Sequence, residues 1–374
     1  LLGAYSETLN LLQLAGIDEK LNLKRLPLSL VVHDLLKSPS FSLNAHPRLP
    51  APLHILIGLL SAQGVTLAEK FSAIRFMAWM RLKQFKLTQD QPLAVLLQAH
   101  QQSAKFIQFL WEPLCLAALN TPLKLASAQV FLNVLRDSFA QDKNDADVLL
   151  ARCDLSSLIS APLAQYISAN NGEINTGTTV TNIEANADGY QVQSNENTTN
   201  FNHVIIACGP HQLKSFNEFL PKLAASVAHL QYQAITTVYL QYSPTAKLAQ
   251  PMLGLVNSLS QWVFDRGQIC GQAGLMAVVI SAHPALVQSQ AQLAELVAAE
   301  LLTIFSDLGQ PLWHKVITEK RATFSCNSAL KRPANITPYP HLYLAGDYTA
   351  GDYPATIEGA VRSGIQAANH ILSH

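Results

Sequence analysis

The sequence has little charge. Charged residues make up 13% of its 374 positions, hydrophobic residues make up 49%, and 25 basic and 25 acidic side chains leave a formal net charge of zero. Electrostatic binding of nucleic acid needs a basic excess or a basic stripe, so the composition predicts no nucleic-acid partner. A chain of this length and hydropathy either buries a large core or handles an apolar substrate.

Long apolar runs and cysteine pairs are also missing. The most hydrophobic stretch, residues 52–60, is too short to match the roughly 20 residues that span a bilayer. The cysteines are odd in number and form no CxxC pair, and the histidines show no metal-ligand spacing. We therefore expect no disulfide framework and no metal site, and we predict a reducing, cytoplasmic environment. The five cysteines are Cys115, Cys153, Cys208, Cys270 and Cys326.

Helical patterns dominate residues 50–136, where several helix starts can be read from the sequence. Thr66 and Glu69 form a capping box, which predicts a helix beginning at Leu67. The apolar side predicted for this helix carries Leu67, Phe71, Ile74, Met77, Ala78, Arg81 and Leu82. Seven aromatic residues of the helical region either line an apolar pocket or pack between helices; they are Phe71, Phe76, Trp79, Phe85, Phe106, Phe109 and Trp111.

The hydrophobic period changes to two after residue 172. Residues 173–194 predict a strand meander with a turn at Asp188-Gly189, and residues 203–207 predict an apolar strand that ends in a Cys-Gly-Pro turn. A plain edge hairpin is the alternative for this meander. Further strands are predicted at 235–242, 261–265, 274–281 and 315–324, with helices near 217–229 and 288–305. Strands interleaved with helices in this order predict a mixed α/β chain.

A strand, a Gly-Asp turn and a helix occupy the C-terminal region. The strand leads into Gly346 and Asp347, and a helix is predicted from Pro354, a residue suited to a first helical turn. Glu358 and Arg362 stand four apart and are expected to pair on its outer face. The apolar or small residues of this helix share one face at helical spacing; they are Ile357, Ala360, Val361, Ile365, Ala368, Ile371 and Leu372. A turn at a helix N-terminus suits an electron-rich ligand group, although similar turns occur in α/β proteins that bind nothing there.

This C-terminal string resembles the flavin motif of the amine oxidase and phytoene desaturase superfamily. The resemblance implies that FAD is the cofactor and that the aspartate of the Gly-Asp pair holds it near the ribityl chain and pyrophosphate. It also implies contacts from the helix start, from one backbone position that touches the adenine, and from the turn after the apolar strand. The implied cofactor-binding residues are Gly346, Asp347, Ala355, Thr356, Ile357, Val180, Ala207 and Gly209.

Further strings resemble one branch of that superfamily, the hydroxysqualene dehydroxylases. The most discriminating are Trp111-Glu112-Pro113-Leu114 and the Ala-Gly-Asp string that ends at Asp347. The resemblance implies a hopanoid-pathway oxidoreductase that reductively removes the hydroxyl of hydroxysqualene to give squalene. It implies an apolar C30 substrate, an unidentified electron donor and peripheral contact with the inner face of the cell membrane. Two alternatives remain: a carotenoid desaturase of the same fold, and a lipid-binding relative that has lost FAD.

The sequence departs from the superfamily pattern in lacking a GxGxxG string. We therefore expect that it begins inside a longer protein, and that the Rossmann-like FAD domain lacks its N-terminal βαβ segment. That domain is predicted to comprise residues 1–34, 154–212 and 325–374, with an inserted α+β substrate domain at 35–153 and 213–324. No residue is assigned as catalytic: Asp352 is a candidate acid only by position, and capping of the last helix is the favoured role for it.

Overall fold

A computed structural model describes residues 1–36, 40–216, 218–283 and 288–373. The chain divides into two compact units. The sheet unit comprises Leu1–Tyr5, Asp18–Asp154 and Tyr232–Ala329, and the motif unit comprises Ser6–Ile17, Leu155–Gln231 and Leu330–His374. Both units mix helices with strands, as the sequence predicts.

The sheet unit is built around a mixed sheet. Its strands are β1 (Leu23–Leu26), β2 (Ser29–Asp34), β3 (Phe41–Asn44), β4 (Val148–Ala151), β9 (Tyr232–Gln241), β10 (Met252–Val256), β11 (Trp262–Asp265), β12 (Leu275–Ser281) and β13 (Trp313–Phe324). Seven of the described strands form one sheet in the order β13-β9-β12-β11-β10-β2-β3. Its pairings are antiparallel except between β10 and β2. A separate antiparallel pair joins β1 to β4.

Helices of the sheet unit lie mostly between β3 and β4. They are α2 (Glu19–Asn22), α3 (Leu53–Ser61), α4 (Leu67–Leu82), α5 (Leu93–Ala99), α6 (Ala104–Phe106), α7 (Glu112–Leu119), α8 (Ala128–Phe139), α11 (Arg266–Cys270) and α12 (Gln290–Ile304). Five residues of π-helix, Ile107–Trp111, join α6 to α7. One core cluster of this unit packs α12, through side chains such as Val297 and Leu301, against the apolar residues of the large sheet.

The motif unit contains two small sheets. Strands β5 (Val180–Asn186), β6 (Gly189–Ser194) and β7 (Thr198–Phe201) form an antiparallel meander, and β8 (Val204–Ile206) pairs in parallel with β14 (Leu342–Leu344). Its helices are α1 (Ser6–Leu14), α9 (Ala161–Ala169), α10 (Pro221–Val227) and α13 (Ile357–Leu372). Tyr343 and Ala345 form a small core with Ala367 of α13.

Several local predictions are confirmed because short-range hydrogen bonds decide them. The capping box at the start of α4 is present: Thr66 accepts from the Glu69 backbone, and Glu69 accepts from the Thr66 backbone at 2.8 Å. The turn at Asp188-Gly189 joins β5 to β6 as predicted. The helix expected near 217–229 corresponds to α10, and residue 217 lies outside the described residues.

The apolar side that the sequence marks on α4 is not the side that the structure buries. The buried residues of α4 are Lys70, Ala73, Phe76 and Met80, whereas Leu67, Phe71 and Leu82 are exposed. Lys70 is held on the inner side because its Nζ donates to the carbonyl of Leu60 at 2.8 Å. Periodicity found an apolar stripe but could not tell which side of the helix faces the protein.

The domain boundaries proposed from the sequence differ from the two units mainly at residues 213–231, which the sequence places in the substrate domain and which belong to the motif unit, and at residues 18–34. That segment was grouped with the cofactor domain, but β2 pairs with β10 and β3 in the sheet unit. The assignment of cofactor and substrate domains stays a prediction. Within the described ranges, no helix has both the length and the hydropathy that crossing a membrane requires.

Candidate flavin-binding site

Two turns that the sequence assigns to one site lie at the same edge of a sheet. Strands β8 and β14 are parallel neighbours, with Ile206 opposite Leu344, and the Ala345 amide donates to the Ile206 carbonyl at 3.0 Å. Because the carboxyl ends of parallel strands meet at one edge, the turn containing Ala207 and Gly209 lies beside the turn containing Gly346 and Asp347. Ligands bind at such edges in open α/β sheets.

A buried hydrogen-bond network around Ser363 fixes the turn after β14. The Ser363 hydroxyl accepts from the Gly346 amide at 2.9 Å and pairs with the Thr349 hydroxyl at 2.8 Å. Asn335 donates to the same hydroxyl at 2.9 Å and to the Leu344 carbonyl at 2.8 Å. Since Ser363, Thr349 and Asn335 are all buried, this network holds the strand, the turn and α13 in one arrangement.

Gly346 is required by its own turn. A Cβ at this position would collide with the ring of Tyr348, whose side chain is 1% exposed. The Gly346 amide is already bonded to Ser363. Glycine is therefore needed here by the packing of the turn itself, whether or not a ligand approaches its backbone.

Asp347 and Arg332 bring opposite charges to the loop between β14 and α13. Burial raises the pKa of Asp347, although the Tyr348 amide and the Arg332 charge act in the opposite direction. Arg332 donates to the carbonyls of Tyr353, at 2.8 Å, and Gly351. The guanidinium thus holds the Gly351–Tyr353 part of the loop and places a cation near the Asp347 carboxylate. No sequence pattern singled out Arg332, because its partners are backbone carbonyls far along the chain.

The start of α13 is capped by Thr356. The Thr356 hydroxyl accepts from the Gly359 amide at 3.1 Å, and the helix begins at Ile357. Pro354 therefore precedes the helix, contrary to its predicted place in the first turn, and Asp352 is not the N-cap. The first turn of a helix leaves backbone N–H groups without intrahelical acceptors, so Ala355, Thr356 and Ile357 surround a site suited to negative charge.

The apolar face of α13 is not its most buried side, although Ile371 packs against the small core. Its buried residues are Glu358, Ser363 and Ala367, while Ile365 is 39% and Leu372 is 83% exposed. The predicted Glu358–Arg362 pair exists, with Arg362 Nε 2.7 Å from Glu358 Oε1, but Glu358 is fully buried rather than on an outer face. Polar side chains occupy the inner side because they hydrogen-bond to neighbouring segments, and apolar periodicity does not register such residues.

Val180, the remaining predicted contact, begins β5 in the separate meander. Its side chain is 41% exposed and its backbone partner in the sheet is Ser194. The sheet pairing that joins the other two turns does not include this strand. The contribution of Val180 to a cofactor site stays a prediction.

The donor and acceptor groups of the motif unit fit a flavin dinucleotide. Asp347 offers carboxylate oxygens for a ligand hydroxyl, and the N-terminus of α13 offers backbone donors and a positive dipole for phosphate or flavin oxygens. Arg332 adds a fixed positive charge near the same loop. A Cβ at Gly351 would meet nothing within 4 Å, so the loop surface is open there.

The sheet unit contains an apolar cavity. The space open to the centre of a water-sized sphere is about 60 Å³, within about 700 Å³ of atom-free space that includes open solvent. Its walls come from β2, β3, α3, α4, α7 and α8 and from the Phe85 and π-helix segments, with Arg81 as the charged side chain among them. Of the seven aromatics considered from the sequence, Phe85 and Trp111 line it. Phe76, Phe106 and Phe109 are buried by ring packing instead, and Phe71 is exposed.

Two acidic residues that follow aromatic residues in the sequence, Glu112 and Asp265, are not among the residues that line this cavity. Asp265 is buried and caps α11, accepting from the amides of Gln268, at 3.1 Å, and Leu248, at 2.9 Å. Glu112 lies exposed in the first turn of α7. The hydrogen bonds of Asp265 account for it structurally, and neither residue is assigned a catalytic role.

Comparison with known proteins decides the family. The family model described as flavin containing amine oxidoreductase matches residues 1–372. The chain belongs to this family. A putative protoporphyrinogen oxidase from Exiguobacterium sp. 255-15 has a similar fold, with a TM-score of 0.67 at 14% identity over 100% of this chain and 86% of that one. The fold class and the flavin cofactor predicted from the sequence are thereby confirmed.

Curated relatives of this flavin family narrow the resemblance. Hydroxysqualene dehydroxylase from Rhodopseudomonas palustris is 29% identical over 270 residues, or 70% of this chain and 61% of that protein. Two further relatives carry the same name. Zeta-carotene desaturase from Synechocystis is 32% identical over 110 residues, or 28% of this chain and 22% of that protein. The chain thus matches less than two thirds of the length of the dehydroxylases that it resembles.

Proposed function

We propose that this flavoprotein reductively removes the hydroxyl group of hydroxysqualene to give squalene. The observation that carries the proposal is the apolar cavity of the sheet unit, whose lining is almost entirely hydrocarbon. A lining of this kind suits a C30 isoprenoid, because such a substrate brings few polar groups that need partners. The names of the three dehydroxylase relatives support the choice among apolar substrates.

The reaction exchanges a C–O bond for a C–H bond. The hydroxyl takes a proton and leaves as water, and the carbon gains a hydride, so the balance requires two electrons and two protons in total. FAD in its reduced form supplies the hydride when bound. The electrons come from a donor that we do not identify, and we assign no residue of this chain as the proton donor.

The residues of this chain contribute binding, orientation and exclusion of water. In the motif unit, Asp347 and the N-terminus of α13 would hold the cofactor, and Arg332 would keep their loop in place. In the sheet unit, the cavity side chains would hold the isoprenoid. The faces of Trp111 and Phe85 can stabilise positive charge that develops as the hydroxyl leaves, each by about 0.5–2 kcal/mol.

A carotenoid desaturase is the second candidate function. The Synechocystis relative supports it, and a polyene precursor would suit the same hydrocarbon lining. A lipid-binding protein without cofactor is a third candidate, but it leaves the capped helix start, Asp347 and Arg332 without a ligand. Peripheral attachment to the inner face of the cell membrane, a cytoplasmic location and a role in hopanoid synthesis belong to the same proposal.

Turnover by the purified full-length protein tests these candidates. With FAD and a chemical reductant under anaerobic conditions, hydroxysqualene should yield squalene, measured by gas chromatography and mass spectrometry. Conversion of phytoene without conversion of hydroxysqualene would refute the proposal in favour of a desaturase. An intact protein that shows no flavin absorbance and takes up no added FAD would favour the lipid-binding candidate.

A matched pair of variants ties turnover to the cavity. Leu114→Trp adds bulk to the cavity wall, whereas Leu296→Trp adds the same bulk at an exposed position on α12. We expect the first to raise the KM for hydroxysqualene about tenfold or more and the second to leave it unchanged, with equal flavin content in both. Equal KM values in both variants would show that the substrate binds elsewhere.

A further inference from the structure

One side of α4 exposes an apolar stripe that the fold does not bury. Leu67 is 67% exposed, Phe71 is 61% exposed and Leu82 is 84% exposed. At 3.6 residues per turn these three side chains fall within about 60° of one another around the helix axis. A stripe of this kind is the pattern that normally faces a core, yet the side of α4 that packs inward carries Ala73, Phe76 and Met80 instead.

A second exposed stripe lies on α3, the preceding helix. Leu53 is 46% exposed, Ile57 is 38% exposed and Leu60 is 39% exposed, at spacings of four and three residues. The end of α3 is tied to α4 because Lys70 Nζ donates to the Leu60 carbonyl at 2.8 Å. We call the two stripes together the α3–α4 face. Its six residues are Leu53, Ile57, Leu60, Leu67, Phe71 and Leu82.

Basic side chains flank the stripe on α4. On the helical wheel, Arg75 lies about 20° beyond Leu82 on one side, and Arg81 lies about 40° beyond Leu67 on the other. Lys83 and Lys86 follow directly after the helix and are exposed. Between residues 67 and 87 the acidic residue is Glu69, whose carboxylate is engaged in the capping box and accepts from Ser103 at 2.8 Å. Long basic side chains beside an apolar stripe suit an interface where hydrocarbon meets anionic headgroups.

The same helices line the apolar cavity with their other sides. Ile55 and Leu59 of α3 and Met77 and Met80 of α4 belong to its wall. Each helix therefore presents hydrocarbon both to the cavity and to the surface. A bilayer that holds an apolar substrate would meet this pair of helices directly, whereas a soluble protein partner gains nothing from that continuity.

We propose that the α3–α4 face docks on an anionic lipid bilayer. The basic flanks select negatively charged headgroups, and the apolar side chains enter the acyl boundary. The proposal rests on the peripheral membrane attachment included in the proposed function and assigns it to one face of the protein. Lipid binding by this face can be measured without turnover.

Vesicle flotation of the full-length protein tests the docking face. With vesicles of phosphatidylcholine and phosphatidylglycerol in about a 7:3 ratio, the protein should float. Leu67→Ser, Phe71→Ser and Leu82→Ser together should lower the partition coefficient about tenfold or more. The control combines Leu296→Ser, Leu312→Ser and Leu372→Ser, three exposed leucines that belong to neither α3 nor α4, and should float like the unaltered protein.

A separate pair of substitutions tests whether docking requires the basic side chains. Lys83→Gln with Lys86→Gln should weaken binding to the anionic vesicles about fivefold or more, and the unaltered protein should bind pure phosphatidylcholine more weakly by a similar factor. Arg81 is left unchanged because it also lines the cavity.

The outcomes separate this proposal from the proposed function. Failure of the unaltered protein to float, or equal flotation of both triple variants, would refute docking by this face. A dimer in solution that the Leu67, Phe71 and Leu82 substitutions dissociate, with no vesicle binding, would assign the face to a second copy instead. Turnover of detergent-dispersed hydroxysqualene needs no bilayer, so the Leu67, Phe71 and Leu82 substitutions should leave it unchanged. This measurement therefore tests the proposed function separately from docking.

Discussion

Glu358 joins the two ends of the motif unit, and its removal should destabilise that unit. Its carboxylate is fully buried. Oε2 accepts from the Thr8 amide at 2.9 Å and the Thr8 hydroxyl at 2.7 Å, while Oε1 accepts from the Glu7 amide at 3.2 Å and Arg362 Nε at 2.7 Å. Glu7 and Thr8 lie in the first turn of α1, where amides lack intrahelical acceptors. Glu358 therefore caps α1 from a helix about 350 residues away along the chain.

The expected cost of Glu358→Ala follows from these contacts. Removing one member of a buried charged pair costs about 3–5 kcal/mol. The lower end applies because the Arg362 side chain is 36% exposed and its charge can be solvated once the pair is broken. Losing a helix cap alone costs about 1 kcal/mol. We therefore expect Glu358→Ala to lower the free energy of unfolding of the motif unit by about 3 kcal/mol.

Hydrogen exchange read by mass spectrometry can report on this unit separately. Peptides covering residues 6–14 should exchange about 100-fold faster in Glu358→Ala, since about 3 kcal/mol corresponds to that factor if they open with the unit. Glu358→Gln should behave nearly as badly, because its amide NH₂ would face donors. The control is Gln366→Ala, an exposed position on the same helix. Exchange at residues 6–14 within threefold of the unaltered protein would refute the capping argument.

Two further predictions concern single side chains. Burial lowers the pKa of His54, whose ring nitrogens have no hydrogen-bond partner among the described residues. The unfolded chain therefore binds a proton that the folded chain does not as pH falls below about 6.5, so stability drops in that range and is unaffected above it. His54→Leu should reduce this loss of stability at low pH and raise the free energy of unfolding by about 1 kcal/mol at pH 8. Urea titration measures both effects, with His314→Leu at an exposed position as the control. An unchanged dependence of stability on pH would contradict this prediction. Arg332→Gln should weaken FAD binding about tenfold or more, because the charged hydrogen bonds from Arg332 to the loop contribute about 1.5–3 kcal/mol each. Flavin fluorescence measures the affinity, and Arg321→Gln, at an exposed position, should leave it unchanged. Equal affinities in both variants would show that the loop keeps its arrangement without Arg332.

Features that depend on neighbouring residues could be predicted from the sequence. The capping box at Thr66, the turn at Asp188-Gly189 and the strand before Gly346 are confirmed because each is determined within a few residues. The resemblance of the C-terminal string to the flavin motif of the superfamily was enough to predict a flavoprotein, because the whole string lies in one segment of the chain. These are properties of local hydrogen bonding and of motif spacing.

Only the tertiary structure decided which sides of the helices are buried. Periodicity marks an apolar stripe on α4 and another on α13, but the packing leaves Leu82 and Leu372 exposed and buries Lys70 and Glu358. Lys70 hydrogen-bonds to Leu60 across the turn before its helix, and Glu358 hydrogen-bonds to Thr8 from the other end of the sequence. No local pattern in the sequence encodes such partners. Arg332 and Ser363 escaped prediction for the same reason. The sequence determined where helices and strands form and what chemistry they carry, whereas long-range polar contacts determined which side of each helix faces the core.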